Sequence, residues 1–366
     1  MAPPRLPASF EYRVVKRLCE LSPRAQRRLF GRPPELDGQV VAPDINVVLE
    51  LAKRTGEDTL TGGLPPEESR AYVRRSAASV SGPTLPMADV FEFAIPGPGS
   101  ELRARLYVPF GAPPPPRPMI VHFHGGGWMV GDLETNDSAC RFLAAHSGVS
   151  ILSPTYRLAP EHPFPAAVED AQAAFRWAVA LADELGADRD RIAIGGDSAG
   201  ANMAAGVCIA MRDQDGPRPA MQLLIYPCTD AIEVRRSRKL FSDGFILTQM
   251  DIDVCERAYL PDKAMGHEPL ASILRAPDLS SLPPAYVATA GFDPFRDEGE
   301  EYGLRMREAG VPVAIRRHPR LIHTFANLTD VSRSARTAMA EAAGALRMGL
   351  SAPVPASLGL GAAPHS

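Results

Sequence analysis

A serine in a tight glycine turn is the residue of this sequence best placed for nucleophilic chemistry. Ser198 lies in the segment Gly-Asp-Ser-Ala-Gly at positions 196–200, between an apolar run at 191–195 and a helix-like stretch that begins at 201. A strand, a sharp turn and a helix form the context in which the pattern G-x-S-x-G exposes a nucleophilic serine. Glycines allow the turn to pass close to neighbouring backbone, where a larger side chain would clash. The sequence therefore predicts an exposed serine nucleophile after a buried strand.

A second glycine cluster could supply the hydrogen-bond donors that acyl transfer needs. The segment His-Gly-Gly-Gly-Trp at 124–128 follows an apolar run at 119–123 that is typical of a buried strand. Backbone N–H groups approach a ligand closely where side chains are absent, and such donors stabilise the oxyanion of a tetrahedral intermediate. The N–H of Ala199, directly after the nucleophile, is a further donor. The alternative interpretation, a plain glycine-rich turn, is weakened by the serine motif downstream.

A serine hydroxyl needs a base to take its proton, and the base needs an orienting acid. Three histidines downstream of Ser198 are candidates: His267, His318 and His323. His267 lies in a polar loop, and His318 ends an alternating segment whose side chains can belong to a strand-edge surface. His323 follows that segment by a short connection, in the chain order serine, acid, histidine. We therefore predict His323 as the base.

The candidate acids lie between positions 293 and 298. Asp293 directly follows a strand-like segment at 285–290, where its side chain can reach a neighbouring loop. Asp297 and Glu298 fall where the next helix is predicted to begin, and carboxylates there interact with free backbone N–H groups and with the helix dipole. We predict Asp293 as the acid that orients the base, and the other two as helix-start charges.

These motifs together resemble the hormone-sensitive-lipase-like family of carboxylesterases, a branch of the α/β-hydrolases. The resemblance covers roughly residues 85–350. It rests on five segments: HGGGW at 124–128, YRLAPEHPFPAA at 156–167, GDSAG at 196–200, DPFRDEG at 293–299 and IHTF at 322–325. It implies an α/β-hydrolase fold, with a mostly parallel central sheet flanked by helices and a helical cap.

The resemblance also implies roles for single residues. Ser198 is the expected nucleophile, Asp293 the acid and His323 the base. The expected oxyanion hole consists of three backbone N–H groups, those of Gly126, Gly127 and Ala199. Two positions depart from the family pattern: Thr324 stands where the family usually has glycine, and Phe295 where it usually has leucine.

The chain divides into a regular central part and two irregular segments. Alternating strand-like and helix-like segments from 118 to 226 predict a parallel sheet covered on both faces, and 90–95 with 102–108 predict an antiparallel edge pair. The expected ranges are the N-terminal part of the cap at 1–85, the catalytic core at 86–228 and 274–350, an inserted part of the cap at 229–273, and a disordered tail at 351–366.

Two interpretations of the irregular segments stay open. An apolar helical stripe crosses 10–30, and Pro65-Pro66 can begin another helix; these helices either belong to the cap or form a separate docking module. The apolar residues of 229–273 either pack the cap against the core, which we favour, or line an acyl pocket.

Composition narrows the class of protein. The 366 residues are 45% hydrophobic and 22% charged with a net charge of −4, as in ordinary soluble enzymes, and nothing indicates nucleic-acid binding. We interpret the arginine pairs at 27–28, 74–75 and 235–236 as solvated surface. An odd number of cysteines, five, and no signal peptide favour reduced thiols and a cytoplasmic location. No apolar run of about 18 residues predicts a membrane span, and no metal-binding spacing appears.

The favoured function is a serine carboxylesterase that hydrolyses short- to medium-chain acyl esters through an acyl-enzyme, in lipid metabolism and without a cofactor. Amide, thioester and N-acetyl substrates use the same groups and stay open as alternatives. A non-catalytic receptor is another alternative, because plant gibberellin receptors resemble this family but have lost the triad histidine. All three triad residue types are present here, which argues against a receptor. Family likeness predicts a monomer or a homodimer.

Overall fold

The computed structural model describes residues 7–351. Its helices are α1 (Ala8–Cys19), α2 (Pro23–Phe30), α3 (Pro43–Thr55), α4 (Pro66–Val80), α5 (Asp137–Ser147), α6 (Ala166–Ala180), α7 (Ala199–Asp213), α8 (Arg236–Leu240), α9 (Gln249–Tyr259), α10 (Arg296–Glu308) and α11 (Arg333–Gly349). Its strands are β1 (Glu35–Leu36), β2 (Gln39–Val40), β3 (Asp89–Pro96), β4 (Glu101–Val108), β5 (Arg117–Phe123), β6 (Ser150–Pro154), β7 (Ala187–Asp197), β8 (Gln222–Ile225), β9 (Ala285–Phe292) and β10 (Val313–Ile322). The tail predicted at 351–366 lies, apart from Ser351, outside the described residues.

Eight strands form one sheet in the order β10-β9-β8-β7-β5-β6-β4-β3. The pairs from β10 to β6 are parallel, whereas β4 pairs antiparallel with β6 and with β3. This confirms the predicted mostly parallel sheet and its antiparallel edge pair. The carboxyl ends of the parallel strands meet at one edge, so the loops after β5, β7, β9 and β10 lie side by side.

Helices cover both faces of the sheet, because the central strands are apolar on both. On β5, Met119, Val121 and Phe123 belong to a cluster that includes residues of α6, α7 and α10. Ile120 between them points to the opposite cluster, which includes residues of α3, α5 and α11. Side chains alternate across a strand, so a continuous apolar run fills two cores. The sheet is thereby buried on both sides, as parallel sheets usually are.

The apolar stripe predicted at 10–30 is two helices, because the chain turns between them. Ser22 caps α2, its Oγ accepting the Ala25 N–H at 3.3 Å, and Pro23 occupies the first turn. Proline lacks the N–H that a continuing helix needs and fits the first helical position. The helix predicted to begin at Pro65-Pro66 is α4, which starts at Pro66.

The N-terminal segment is anchored directly on the C-terminal part of the described chain. Asp44 at the start of α3 accepts hydrogen bonds from the side chains of Ser332 and Ser334, at 2.7 and 2.8 Å. Ile45 and Leu49 of the same helix are buried in the core cluster shared with α5 and α11. The helix therefore contributes to the main core and is not a separately folded module.

Helix α4 holds the loop that follows the glycine cluster. The Arg70 guanidinium donates to the carbonyl oxygens of Met129 and Ala159, both at 3.0 Å. It also forms a bidentate pair with Glu161, at 2.6 and 2.9 Å. Three remote segments are joined at one planar side chain, a geometry that suits the rigid donors of arginine.

A buried carboxylate makes several of the contacts between the two segments expected to form a cap, 1–85 and 229–273. Asp251 at the start of α9 accepts the backbone N–H groups of Leu60 and Thr61, at 3.1 and 2.8 Å. It also accepts the Thr61 hydroxyl at 2.6 Å. About 190 residues of chain separate these partners, so this carboxylate is a long-range tie.

Replacing Asp251 by asparagine is expected to lower the free energy of unfolding by about 2–3 kcal/mol, because several buried donors lose a charged acceptor. Asp253→Asn, on the same helix, is the matched control, since Asp253 is half-buried and accepts a bond from Gln249. We expect the control to change stability by no more than about 0.5 kcal/mol. Urea unfolding of both variants measures the difference, and equal losses would contradict the role assigned to Asp251.

Candidate active site

Ser198 lies at a sharp turn between β7 and α7. Its backbone has φ 55° and ψ −120°, a conformation that residues other than glycine rarely adopt. The Ser198 N–H donates to the Ile225 carbonyl oxygen of the neighbouring strand at 2.9 Å. A Cβ atom at Gly200 would come within 2.6 Å of the His124 carbonyl oxygen, so only glycine fits there. The predicted close turn around the serine is thus present.

The three predicted triad residues converge at this turn. His323 Nε2 lies 2.9 Å from Ser198 Oγ, and His323 Nδ1 lies 2.8 Å from Asp293 Oδ2. The other carboxylate oxygen of Asp293 accepts the Phe295 N–H at 2.8 Å. The serine is 7% exposed, while the acid and the histidine are almost fully buried. A buried carboxylate fixes one tautomer and one orientation of an imidazole, with the free ring nitrogen facing the hydroxyl.

Two aromatic rings enclose the imidazole of His323. The Tyr226 ring centre lies 4.5 Å away, and that of Phe295 lies 5.5 Å away in an edge-to-face arrangement. Phe295 stands where the family that this sequence resembles usually has leucine, and it keeps an apolar contact with the imidazole. Such walls exclude water and strengthen the electrostatic interactions inside the site.

The glycine cluster forms a loop beside Ser198. Some backbone N–H groups of this loop are hydrogen-bonded and others are free. The Gly125 N–H donates to Asp197 Oδ1 at 3.0 Å. Within residues 7–351, the N–H groups of Gly126 and Gly127 donate to no acceptor, and Ala199 begins a helix, where N–H groups lack intrahelical partners. Gly126 has φ 119°, a conformation reserved for glycine. Free donors therefore occupy the three positions predicted for an oxyanion hole.

Asp197 connects the glycine loop to the serine turn. Besides the Gly125 N–H, its carboxylate accepts the Tyr226 hydroxyl at 3.3 Å. Burial raises the pKa of this carboxyl to about 6, although the bond from Gly125 opposes the rise. Asp197 thus bonds to a loop other than its own and links the two segments.

His124 and Tyr156 support the glycine loop and were not anticipated as site residues. Their rings stack at 4.3 Å, and the Tyr156 hydroxyl donates to the His124 carbonyl oxygen at 2.9 Å. Burial lowers the pKa of His124, so it stays neutral near pH 7. The signal for this pair lay in two family motifs, HGGGW and YRLAPEHP, that sequence spacing alone does not bring together.

The structure corrects the interpretation of the two acids after Asp293. Asp297 accepts the backbone N–H of Ser237 in α8 at 2.8 Å, rather than N–H groups of its own helix. Glu298 is fully buried and accepts the N–H groups of Thr229 and Asp230, at 2.6 and 3.2 Å. Burial raises the pKa of Glu298 to about 8. Both residues lie in the first turn of α10, as predicted, but their carboxylates accept N–H groups of the inserted segment rather than those of their own helix.

The other two histidine candidates lie apart from the serine. His318 is buried beside the Phe325 ring, at 5.5 Å between centres, which corrects its expected place on a strand-edge surface. Burial lowers its pKa to about 4. His267 closes a short 3-10 helix, Lys263–His267, and is exposed. In the described part of the chain, neither bonds to Ser198 or Asp293.

Two cavities of very different size meet at Ser198. The large cavity, about 680 Å³, extends from Ser198 and His323 along the inner faces of α1, α3 and α4. The small cavity, about 30 Å³, lies on the other side of the serine and is bounded mainly by the inserted segment. Leu247 and Ile252 line the small cavity and also belong to the main core cluster. These two residues therefore both pack the inserted segment against the core and line the cavity.

No group of three His, Cys, Asp or Glu side chains in residues 7–351 is arranged to hold a metal ion. Across the same residues, no helix combines the length and the apolar character that crossing a membrane requires.

Thr324, which replaces the usual glycine after the histidine, has φ 68°. A β-branched residue in this left-handed conformation is strained, so Thr324→Gly is expected to raise the free energy of unfolding by about 1 kcal/mol. Urea unfolding measures the change. Gly310, also left-handed at φ 83°, provides the reverse control: Gly310→Thr is expected to destabilise by a similar amount. A loss of stability in Thr324→Gly would show that the threonine is not strained.

Comparison with known proteins agrees with this geometry. The profile of a family described as having the alpha/beta hydrolase fold matches residues 120–327. The carboxylic ester hydrolase LipN of Mycobacterium tuberculosis is 43% identical over 88% of this chain and 86% of its own length. The arylesterase of Saccharolobus solfataricus is 36% identical over 69% of this chain and 81% of its own.

Solved structures give the same result. An ester hydrolase from the metagenome of Lake Arreo, solved with a bipyridine phosphonate derivative, has 40% identity and a TM-score of 0.81, covering 84% of this chain and 99% of its own. A hyperthermophilic esterase from the archaeon Pyrobaculum calidifontis has 35% identity and a TM-score of 0.79, covering 85% and 99%. The chain therefore belongs to the α/β-hydrolase family, within its hormone-sensitive-lipase-like branch of carboxylesterases.

Proposed function

We propose that this protein is a serine carboxylesterase in which Ser198 is the nucleophile, His323 the base and Asp293 the orienting acid. The observation that carries the proposal is the continuous hydrogen-bond chain from Ser198 Oγ through the imidazole to the carboxylate, with distances of 2.9 and 2.8 Å. This is the arrangement by which a base activates a serine hydroxyl.

The reaction proceeds in two halves. Ser198 Oγ attacks the ester carbonyl carbon while His323 Nε2 takes its proton. The tetrahedral intermediate collapses when the imidazolium gives that proton to the leaving alkoxide, which departs as an alcohol and leaves an acyl-serine. Water then attacks the acyl carbonyl while His323 Nε2 takes its proton. The imidazolium returns that proton to Ser198 Oγ as the bond between the acyl carbon and the serine breaks, and the acid is released. Asp293 stays ionised and stabilises the imidazolium in both halves.

The negative oxygen of each tetrahedral intermediate is held by the backbone N–H groups of Gly126, Gly127 and Ala199. Support comes from the position of these donors at the serine turn and from the absence of competing acceptors for the two glycine N–H groups within residues 7–351. Removing one donor of an oxyanion hole typically costs roughly 10²–10³ in kcat. Asp197 positions this loop through the Gly125 N–H.

The two cavities suggest the class of ester. The small cavity holds the equivalent of about two water molecules, so one arm of the ester must be short. The large cavity accepts a longer or bulkier arm, and its walls on α1, α3 and α4 carry many apolar side chains. This supports short- to medium-chain acyl esters with one extended arm, and a place in lipid metabolism.

The N-terminal segment and the inserted segment serve as the cap over Ser198. Leu60 from the first lines both cavities, and Leu247 and Ile252 from the second line the small one. A cap of this kind excludes water from the ester and the imidazole. We also propose a cytoplasmic location, since the five cysteines are all buried free thiols, as expected of a reducing compartment.

Ser198→Ala is expected to lower kcat by several orders of magnitude, leaving roughly 10³–10⁴-fold acceleration over water from the remaining binding groups. Hydrolysis of p-nitrophenyl acetate, butyrate, octanoate and palmitate measures the loss and the chain-length preference, which should decline toward palmitate. Ser9→Ala, at an exposed serine of α1, is the control and should keep full activity. Near-normal turnover by folded Ser198→Ala protein would refute the nucleophile.

Asp293→Asn is expected to lower kcat by ~10⁴, because the imidazole is then held in the wrong tautomer. Asp297→Asn, four residues later, should keep kcat within a few-fold and lose about 1–2 kcal/mol of unfolding free energy, because the N–H of Ser237 loses its charged acceptor. Measuring kcat and the urea midpoint for both variants separates the roles. A collapse of kcat confined to Asp297→Asn would reverse the assignment.

A further inference from the structure

The first two helices carry positive charge that the ester chemistry does not use. Residues 7–32 contain seven cations, Arg13, Lys16, Arg17, Arg24, Arg27, Arg28 and Arg32, against two carboxylates, Glu11 and Glu20. The segment thus has a net charge of +5 in a chain whose net charge is −4. None of the seven cations forms an ion pair with a carboxylate in residues 7–351. These charges are therefore not balanced by the described fold.

Apolar side chains are exposed among these cations. Phe10, Val14, Leu21 and Leu29 have exposed fractions of 44%, 39%, 38% and 52%. We call the exposed side of α1 and α2, with these four residues and the six exposed arginines of 7–32, the α1–α2 face. Isolated exposed apolar residues are common, but here four of them lie within 20 residues and are interleaved with arginine.

The spacing on α1 arranges both kinds of side chain on one side. Phe10, Arg13, Val14 and Arg17 follow one another at intervals of three and four residues, so they form one stripe on the helix. All four are exposed, whereas Tyr12 and Cys19, on the opposite side, are buried. The outward side of the helix is thus both cationic and apolar. Because α1 packs on α3 and α4, this stripe has a fixed direction relative to the site.

The α1–α2 face borders the opening of the large cavity. Val14 is exposed and lines that cavity, as do Arg54 and Thr55 at the end of α3. The Arg54 guanidinium also donates to the Leu29 carbonyl oxygen at 3.2 Å, which ties the end of α3 to α2. At its other end the cavity reaches Ser198 and His323. One continuous space therefore runs from the α1–α2 face to the serine.

We propose that the α1–α2 face docks on an anionic lipid surface, with the opening of the large cavity turned toward it. Cations near an anionic bilayer are attracted by its surface potential, and interspersed Phe and Leu side chains enter the boundary between head groups and acyl chains. This combination favours lipid over nucleic acid, since phosphate recognition by nucleic-acid binders does not require exposed Phe and Leu. Docking needs no turnover; only the delivery of an ester from the lipid to Ser198 rests on the proposed function.

The test is co-sedimentation of Ser198→Ala protein with vesicles, so that catalysis does not enter the measurement. Vesicles of phosphatidylglycerol and phosphatidylcholine in equal parts are compared with vesicles of phosphatidylcholine alone, at low ionic strength and at high ionic strength. Binding is expected to the anionic vesicles and to fall with added salt, because salt screens exposed charges.

Matched charge removals locate the binding surface. Arg27→Gln/Arg28→Gln removes two cations from the α1–α2 face, and binding should weaken by roughly 25-fold, at about fivefold for each charge near the surface. Arg189→Gln/Arg218→Gln removes two exposed cations near the starts of β7 and β8, at the edge of the sheet opposite Ser198, and should leave binding unchanged. Phe10→Ser/Leu29→Ser should weaken binding without altering hydrolysis of dissolved p-nitrophenyl acetate.

The outcomes separate the proposal from its alternatives. Equal effects of the two arginine pairs, binding to neutral vesicles alone, or binding that does not respond to salt would overturn it. A dimer in size-exclusion chromatography that dissociates with Phe10→Ser/Leu29→Ser, together with no vesicle binding, would assign the face to a second copy of this chain. Absence of esterase activity in the unsubstituted protein, together with intact vesicle binding, would refute the proposed function and leave the docking surface standing.

Discussion

The backbone of Ser198 is the constraint on which the arrangement of the core depends. A residue at φ 55° and ψ −120° is strained by roughly 1–3 kcal/mol and persists only where its surroundings hold it. Here the Ser198 N–H bonds to Ile225, at the point where β7 and β8 are paired, and Gly200 allows α7 to begin directly beneath the end of β5. The position of the serine hydroxyl is therefore determined by three strands and a helix rather than by the turn alone.

The side chains of the proposed triad come from separate strand ends and are coupled through few atoms. Ser198 follows β7, Asp293 follows β9 and His323 follows β10, so the parallel sheet brings them to one edge. Asp197, inside the serine turn, holds the glycine loop after β5 through the Gly125 N–H. Because the same strand end carries Ser198 and the carboxylate that holds the glycine loop, a shift of β7 would move both together. The register of a sheet is thus a direct determinant of the distance between Ser198 and its donors.

Much of the site could be predicted from sequence because its signals are local. A motif of about five residues is enough to recognise each of three features: the serine turn, the glycine loop and the histidine after the last strand. Predictions failed where the partner lies far along the chain: Asp297 bonds to Ser237 and Glu298 bonds to Thr229, about 60 and 69 residues away. The position of these two acids at a helix start correctly suggested that backbone N–H groups would be their partners. The N–H groups that they accept belong to a distant segment and not to their own helix. His318 was misjudged for the same reason, since an alternating strand does not reveal that the 3-10 helix Phe325–Leu328 packs against one of its ends.

The N-terminal segment meets two constraints at once, one on its inner side and one on its outer side. Its inner side must be apolar to line the large cavity, as Val15, Val48 and Leu51 do, while its outer side is free to vary in charge. With +5 on residues 7–32, the remaining residues sum to −9, so the molecule is electrically polar. The electrostatic field of an asymmetric charge distribution orients a protein before it contacts a charged surface, because such steering acts over about a Debye length. The net negative charge of the remaining residues adds repulsion when other parts of the molecule face an anionic surface. The orientation that brings the cavity opening toward such a surface is thus selected by repulsion as well as by attraction.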